Sequence, residues 1–217
     1  MAAVFIASLA AAQAQIIISE VDPTGSSTTN YASDWFELEN TSSTNVDITG
    51  WKMDDNSDLF TKAVPLTGVT SIAPGQVVVF LEDTAVGSSG DAALNISFED
   101  AWFNGSVPVG FTIGNYGGSG VGLGASGDAV NIFDGAGTAI TGVSFGASTT
   151  GFTFDNAAGL SGTISQLSAV GVNGAFTSFD GAEVGSPGVV PEPSTLALAG
   201  LGLTGLLGLR RLKNRQA

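Results

Sequence analysis

The chain reads as all-β, an antiparallel β-sandwich with Greek-key connections, and three observations predict it. Between the two ends no stretch sustains helical periodicity; short β-rich runs recur, each closed by Gly, Asn, Asp or Ser. The run WFELE at 35–39 alternates, with Phe36 and Leu38 on one face and the acids on the other. The run VVVFL at 77–81 is continuously apolar, as in a strand covered on both sides.

Taken in order, 16–21 (IIISEV) is a first strand and 35–39 the second. Short strands at 46–48 and 51–53 flank the turn residues Thr49 and Gly50. Pro74-Gly75 makes a turn that feeds 77–81. Strands at 129–133 and 138–145 are joined by Asp134-Gly135-Ala136-Gly137, a hairpin signal. The region 84–122 is a long connection, ordered by Phe98, Trp102, Phe103 and Phe111 packing on the sandwich rim.

The ends differ in kind from this body. Residues 4–12 are apolar and lead into Ala12-Gln13-Ala14, a small-residue cleavage pattern, so 1–14 is expected to be a signal peptide cut after Ala14. An uncleaved first helix is the alternative. At the other end stand Pro191, Glu192 and Pro193, an uncharged run at 195–209, then Arg210, Arg211, Lys213 and Arg215. The prolines fix φ and lack amide hydrogens, so Glu192 sits in an extended stretch open to a processing enzyme. Fifteen helical residues span roughly 22 Å against about 30 Å of hydrocarbon, marginal for a permanent membrane helix. The closing cations are a membrane stop that keeps everything before Pro191 outside.

Charge and composition exclude several activities. Nineteen of the twenty carboxylates but only two of the six cations, Lys52 and Lys62, lie between 15 and 190, about −17 for that part. Such a surface repels phosphate backbones, which argues against nucleic acid as a partner. With no His and no Cys, Ser-His and Cys-His nucleophile systems, nitrogen/sulfur zinc sites and disulfides all fall away. No phosphate-cradling loop is present, and no cofactor is expected.

The string VPEPSTLALAGLGLTGLLGLRR resembles the PEP-CTERM sorting signal of Gram-negative bacteria. That resemblance implies an exosortase-type processing enzyme as partner, transient residence in the inner membrane, export, and association with exopolysaccharide. An ordinary single-pass anchor is the alternative. A second resemblance is to the lamin-tail domain, carried by IIISEVDP, SDWFELENTSSTNVDITGWKM, IAPGQVVVF, GDAVNIFDGAGTAITGVSFG and the GSPG at 185–188. It implies an immunoglobulin-like sandwich over 15–188, followed by the sorting signal at 189–217. The family has no shared catalytic residues, and its members are viewed as tethering or interaction modules.

Four features invite a site. Asp54, Asn56 and Asp58 have oxygen-ligand spacing at EF-hand positions one, three and five, but Leu59 replaces the glycine and Pro65 the closing glutamate; a solvated Asx-capped turn competes with a calcium loop. Glu37 and Glu39 point together from one strand face, as glycosidase acids do, and solvated acids are the bland alternative. Trp35 and Trp51 are expected in the core, and Trp102 is the aromatic expected to be open for stacking on a ligand. Asn40, Asn95 and Asn104 begin N-x-[ST] triplets.

The leading expectation is therefore a non-catalytic, exported surface or matrix protein with a removable tail. A carbohydrate- or calcium-binding module is the second. An extracellular hydrolase, third, predicts a cleft with two carboxylates in unequal environments, and a body whose acids are all solvated would oppose it.

Overall fold

A computed structural model describes residues 16–83 and 91–190. The expected signal peptide, with Ala12 and Ala14, lies outside the described residues, as do Pro191, Glu192, Pro193 and the basic cluster Arg210, Arg211, Lys213 and Arg215. No described helix is long and apolar enough to cross a membrane.

The chain opens with β1 (Ile16–Asp22), one helical turn α1 (Gly25–Thr28) and β2 (Trp35–Asn40). Short strands follow: β3 (Val46–Asp47), β4 (Lys52–Asp54), β5 (Val64–Thr67) and β6 (Ser71–Ile72). Then come β7 (Val77–Asp83), α2 (Ala92–Phe103) and β8 (Ile113–Gly117). The second half holds β9 (Asp128–Phe133), β10 (Ala139–Phe145), β11 (Phe154–Asp155), β12 (Gly162–Ile164), β13 (Phe176–Thr177) and β14 (Val184–Gly185).

Ten strands form one hydrogen-bonded sheet in the order β11-β1-β2-β7-β8-β5-β4-β9-β10-β12. It bends over on itself, so that β1 lies against β10 and one core fills the space between. Ile16, Val21, Phe36, Leu38, Val78 and Phe80 come from one half, and Met53, Val130, Ile132, Val143 and Phe145 from the other. The result is an all-β, sandwich- or barrel-like body with few helices.

The antiparallel expectation needs correction at two places. β7 pairs with β8 in parallel, Val79 opposite Ile113, and β10 pairs with β12 in parallel. A parallel neighbour cannot be reached by a hairpin and requires a crossover. That crossover is the second correction: where the sequence showed no helical periodicity, α2 runs for three turns. Asp91 caps it, its Oδ1 accepting from the amides of Ala93 (2.9 Å) and Leu94 (3.1 Å). Asn104 ends it in the left-handed conformation. Leu94, Phe98, Ala101 and Trp102 form its inward stripe, yet apolar Ile96 faces solvent and blurs the pattern.

α2 is what makes β7 two-sided. Val78 and Phe80 enter the main core, while Val79 and Leu81 enter a second cluster with Trp35, Tyr31, Phe98 and Trp102. The aromatics of the long connection thus pack on the outer face of β2 and β7 rather than on a rim. The Pro74-Gly75 turn forms as its residues dictate: Gly75 takes φ +68°, and the Gln76 amide donates to Ala73 at 2.9 Å.

Candidate functional site

The most unusual chemistry of this protein is a set of carboxylates on the outer face of β1 and β2, sealed under the C-terminal segment. A β-bulge puts them there. By simple alternation Glu20 would share the core face with Ile16 and Ile18. The pairing with β2 runs Ile18 to Leu38, then jumps to Glu20 opposite Glu37, leaving Ser19 as the extra residue. Beyond the bulge Val21 faces Phe36 in the core, and Glu20 and Asp22 turn outward beside Glu37 and Trp35.

Outward does not mean solvated. Glu20 and Glu37 are each 1% exposed. Glu20 Oε1 accepts the hydroxyls of Thr153 and Ser168 (3.3 Å for the latter), and Ser186 donates its amide to both carboxylate oxygens (2.9 and 3.1 Å) and its hydroxyl to Oε2 (2.9 Å). Glu37 Oε1 accepts the amide of Gly188 at 2.5 Å and its Oε2 the Ser19 hydroxyl at 3.2 Å. Burial with no countercharge among the described residues raises both: Glu20 is pushed up to about 7 by desolvation, against the pull of its hydroxyl and amide donors. Desolvation, reinforced by the charge of Glu20, pushes Glu37 well above the usual carboxylate range.

A second group lies one step along the strand. Asp22 Oδ1 accepts the amide and hydroxyl of Thr24, both at 2.9 Å. Glu183 Oε2 accepts the Tyr31 hydroxyl at 2.6 Å, and the Tyr31 oxygen in turn accepts the Trp35 indole at 3.1 Å. The remaining oxygens, Asp22 Oδ2 and Glu183 Oε1, are buried with no donor. Two carboxyls in mutual hydrogen-bonding contact satisfy both oxygens by holding one proton between them. Desolvation and the neighbouring Asp22 charge push Glu183 up to about 10, and burial raises Asp22 as well, so the pair holds its proton above the usual carboxylate range. Burial raises Asp34, close to the Asp22 charge, to about 6.

These acids answer neither description set out for a hydrolase. They are not solvated, contrary to the expectation for Glu37 and Glu39 (8% exposed), and those at the centre do not line an open cleft. What they do is fasten the segment 183–188 to the first hairpin. Glu20, Asp22 and Glu183 were missed in the sequence because a bulge and a contact across more than 150 residues position them. The available signal was the polar interruption Ser19-Glu20 within an apolar strand.

The other sequence candidates sort as follows. Trp102 is 2% exposed, wedged between Trp35 (ring centroids 6.0 Å) and Phe176 (5.5 Å); the stacking expectation is therefore overturned, because α2 turns this ring into the second core. Trp35 and Trp51 are buried as expected. Asp54 is buried and its Oδ2 accepts the Ser57 hydroxyl and Leu59 amide, both at 2.7 Å, while the Asn56 amide donates to Asp128 Oδ1 at 3.1 Å. These bonds hold 54–59 as a capped turn. Asp58 adopts φ +50°, and among the described residues no group of three or more His, Cys, Asp or Glu side chains is gathered for a metal.

With the geometry in view, comparison with known proteins gives two family matches. A profile for the PEP-CTERM protein-sorting motif matches residues 189–212, beginning directly after the clamped segment. That motif implies export, a membrane-anchored precursor and recognition by an exosortase-type enzyme. No curated protein matches the chain. A profile for the Lamin Tail Domain matches residues 10–147, more than half of the 217 residues, and neither matched family is a catalytic one. The β-bodied chain, with its bulged first hairpin and continuous strand at 77–83, belongs to the lamin tail domain family.

Proposed function

We propose that this is a non-catalytic interaction or tethering module, presented at the cell surface or in the extracellular matrix after an exosortase-type enzyme has removed its tail. In this reading residues 1–14 are a signal peptide, 15–188 the folded module, and 189–217 the sorting signal. Pro191, Glu192 and Pro193 are the recognition motif, and Arg210, Arg211, Lys213 and Arg215 the stop that retains the precursor in the inner membrane.

The observation that supports the reading is the position of the bonds that clamp 186–188 to the first hairpin. Ser186 and Gly188 are locked to Glu20 and Glu37, and the sorting motif begins at the next residue. In this reading the bonds that clamp 186–188 lie before the signal and remain when it is removed. The burial of Glu20 and Glu37, each 1% exposed, supports a structural rather than a catalytic role for these two acids.

Mass spectrometry of the protein's C-terminus from its native host tests this. The expected product lacks the basic cluster, and Glu192→Ala leaves the full-length precursor in the membrane fraction. An intact tail on the surface-exposed protein overturns the processing step.

A further inference from the structure

The two outermost strands of the sheet, β11 and β12, are joined by a short loop, and the chain leaving β12 returns alongside β11. The Asp155 amide donates to Gln166 O at 2.9 Å, and the Ser168 amide to Thr153 O at 3.0 Å. The sheet thus almost closes on itself, and a cavity of about 220 Å³ remains at the seam. Seams and mouths of closed sheets are places where ligands bind.

Its walls mix polar and apolar surface, and the exposed side chains of Gln166 and Asn173 are tied to Asp155. Asp155 Oδ2 accepts one amide hydrogen from Gln166 (3.1 Å) and one from Asn173 (2.8 Å). Each carboxamide therefore keeps a second N–H and its carbonyl oxygen for something else. Asn156 braces the loop, its amide donating to Ile18 O (2.7 Å) and Leu160 O (3.0 Å). Thr163 offers a hydroxyl beside Ser144 (2.9 Å), and Leu160, 59% exposed, supplies an apolar wall.

We propose that this seam cavity binds one neutral pyranose unit of a saccharide, with Gln166, Asn173 and Thr163 bonding its hydroxyls and Leu160 covering its C–H face. Three physical points select that class. The volume is below the roughly 300–1,000 Å³ of drug-sized pockets, so it admits a single small unit. Paired donor and acceptor groups on planar amides match vicinal hydroxyls, which also donate and accept. Asp155 in the wall, in a body of about −17, disfavours anionic sugars and phosphates. The inference goes beyond the sorting reading, which concerns the other side of Gly188 and stands or falls separately.

The test is a titration of the isotopically labelled full-length chain with methyl glucoside, galactose and mannose, with glucuronate as the anionic counterpart and glycerol as a generic polyol. At least one neutral sugar is expected to give saturable shifts in the Gln166 and Asn173 side-chain amides, with glucuronate at least about tenfold weaker and glycerol non-saturating. Asn173 has φ +48°, so Asn173→Gly keeps the turn without strain while removing the amide. That variant and Gln166→Ala should each weaken binding about tenfold, roughly 1.4 kcal/mol, with an unchanged amide spectrum elsewhere. Absence of saturation with every neutral sugar, equal binding of glucuronate, or parent-like binding by both variants overturns the proposal.

Discussion

Ser186 closes the fold on Glu20. Its amide and hydroxyl both donate to that carboxylate, at 2.9 to 3.1 Å, across 166 residues of chain. The bond joins the first strand to the last residues before the sorting motif, and it does so with a buried acid that no lysine or arginine among the described residues neutralises. Lys52, the nearest cation in sequence to the first hairpin, lies over the Phe60 ring at 4.7 Å instead.

Stability should therefore rise on mild acidification. A carboxyl whose folded pKa is raised contributes stability that is fully present below its unfolded value and is lost as pH climbs through the folded one. For Glu20 that window runs from 4.5 to about 7, for Asp34 from 3.8 to about 6, and for Glu183 from 4.5 to about 10. Each group contributes a slope of up to about 1.4 kcal/mol per pH unit inside its window. The exposed Asp134, whose pKa is lowered by the Thr138 and Ala136 amides, acts oppositely below 3.8. Calorimetry is expected to find the highest Tm near pH 4 to 5 and a steady fall towards pH 9. A Tm that is flat or rises over that range contradicts the shared-proton account of Asp22 and Glu183.

Glu20→Ala takes the acceptor from three hydroxyls, those of Thr153, Ser168 and Ser186, and from the Ser186 amide in a buried site. Unsatisfied buried donors cost about 1–3 kcal/mol each, so a total loss of about 3 kcal/mol or more is expected in urea unfolding at pH 5. Glu20→Gln preserves volume and most contacts. It should cost less at pH 5 than Ala does, and the difference from the parent should shrink by pH 8, where the parent's carboxyl is charged and unfavourable. A Gln variant whose deficit grows with pH would contradict the assignment.

Gly185→Ala probes the same clasp sterically. A Cβ there would meet Glu20 Oε1 at 2.7 Å, Thr153 Cγ2 at 3.0 Å and the Trp102 ring at 3.0 Å. Overpacking of this kind costs about 1–3 kcal/mol. Hydrogen exchange should localise the effect to 183–188, faster than in the parent, with β4 and β9 unaffected.

Trp102→Ala removes the ring that joins α2 to β2 and to β13. Large-to-small changes of a buried tryptophan cost about 3–5 kcal/mol. The parent's Trp102 emission should also resist acrylamide quenching and should not respond to sugars at the seam, measured in a variant with Trp35 and Trp51 replaced by Phe. Ready quenching would mean that the ring is open to solvent.

Local pattern made several elements legible. The alternation at 35–39, the apolar run at 77–81, the Pro74-Gly75 turn and the hairpin around Asp134-Gly135 all depend on neighbours within a few residues, and all appear in the fold. α2 escaped because Ile96 on its outer face broke the stripe, although Asp91 and Asn104 stood at its ends as capping residues.

The sequence by itself determined the β character, the acidic body without His or Cys, and the tripartite tail, because each rests on composition, two-residue periodicity or contiguous motif. Tertiary structure alone decided that Glu20 leaves the core face, that Trp102 is buried, and that β7 pairs in parallel with β8. A one-residue bulge inverts every side chain beyond it, and the second face of β7 is covered by a crossover helix that the local pattern does not show. Both depend on partners far away along the chain, where no local window reaches.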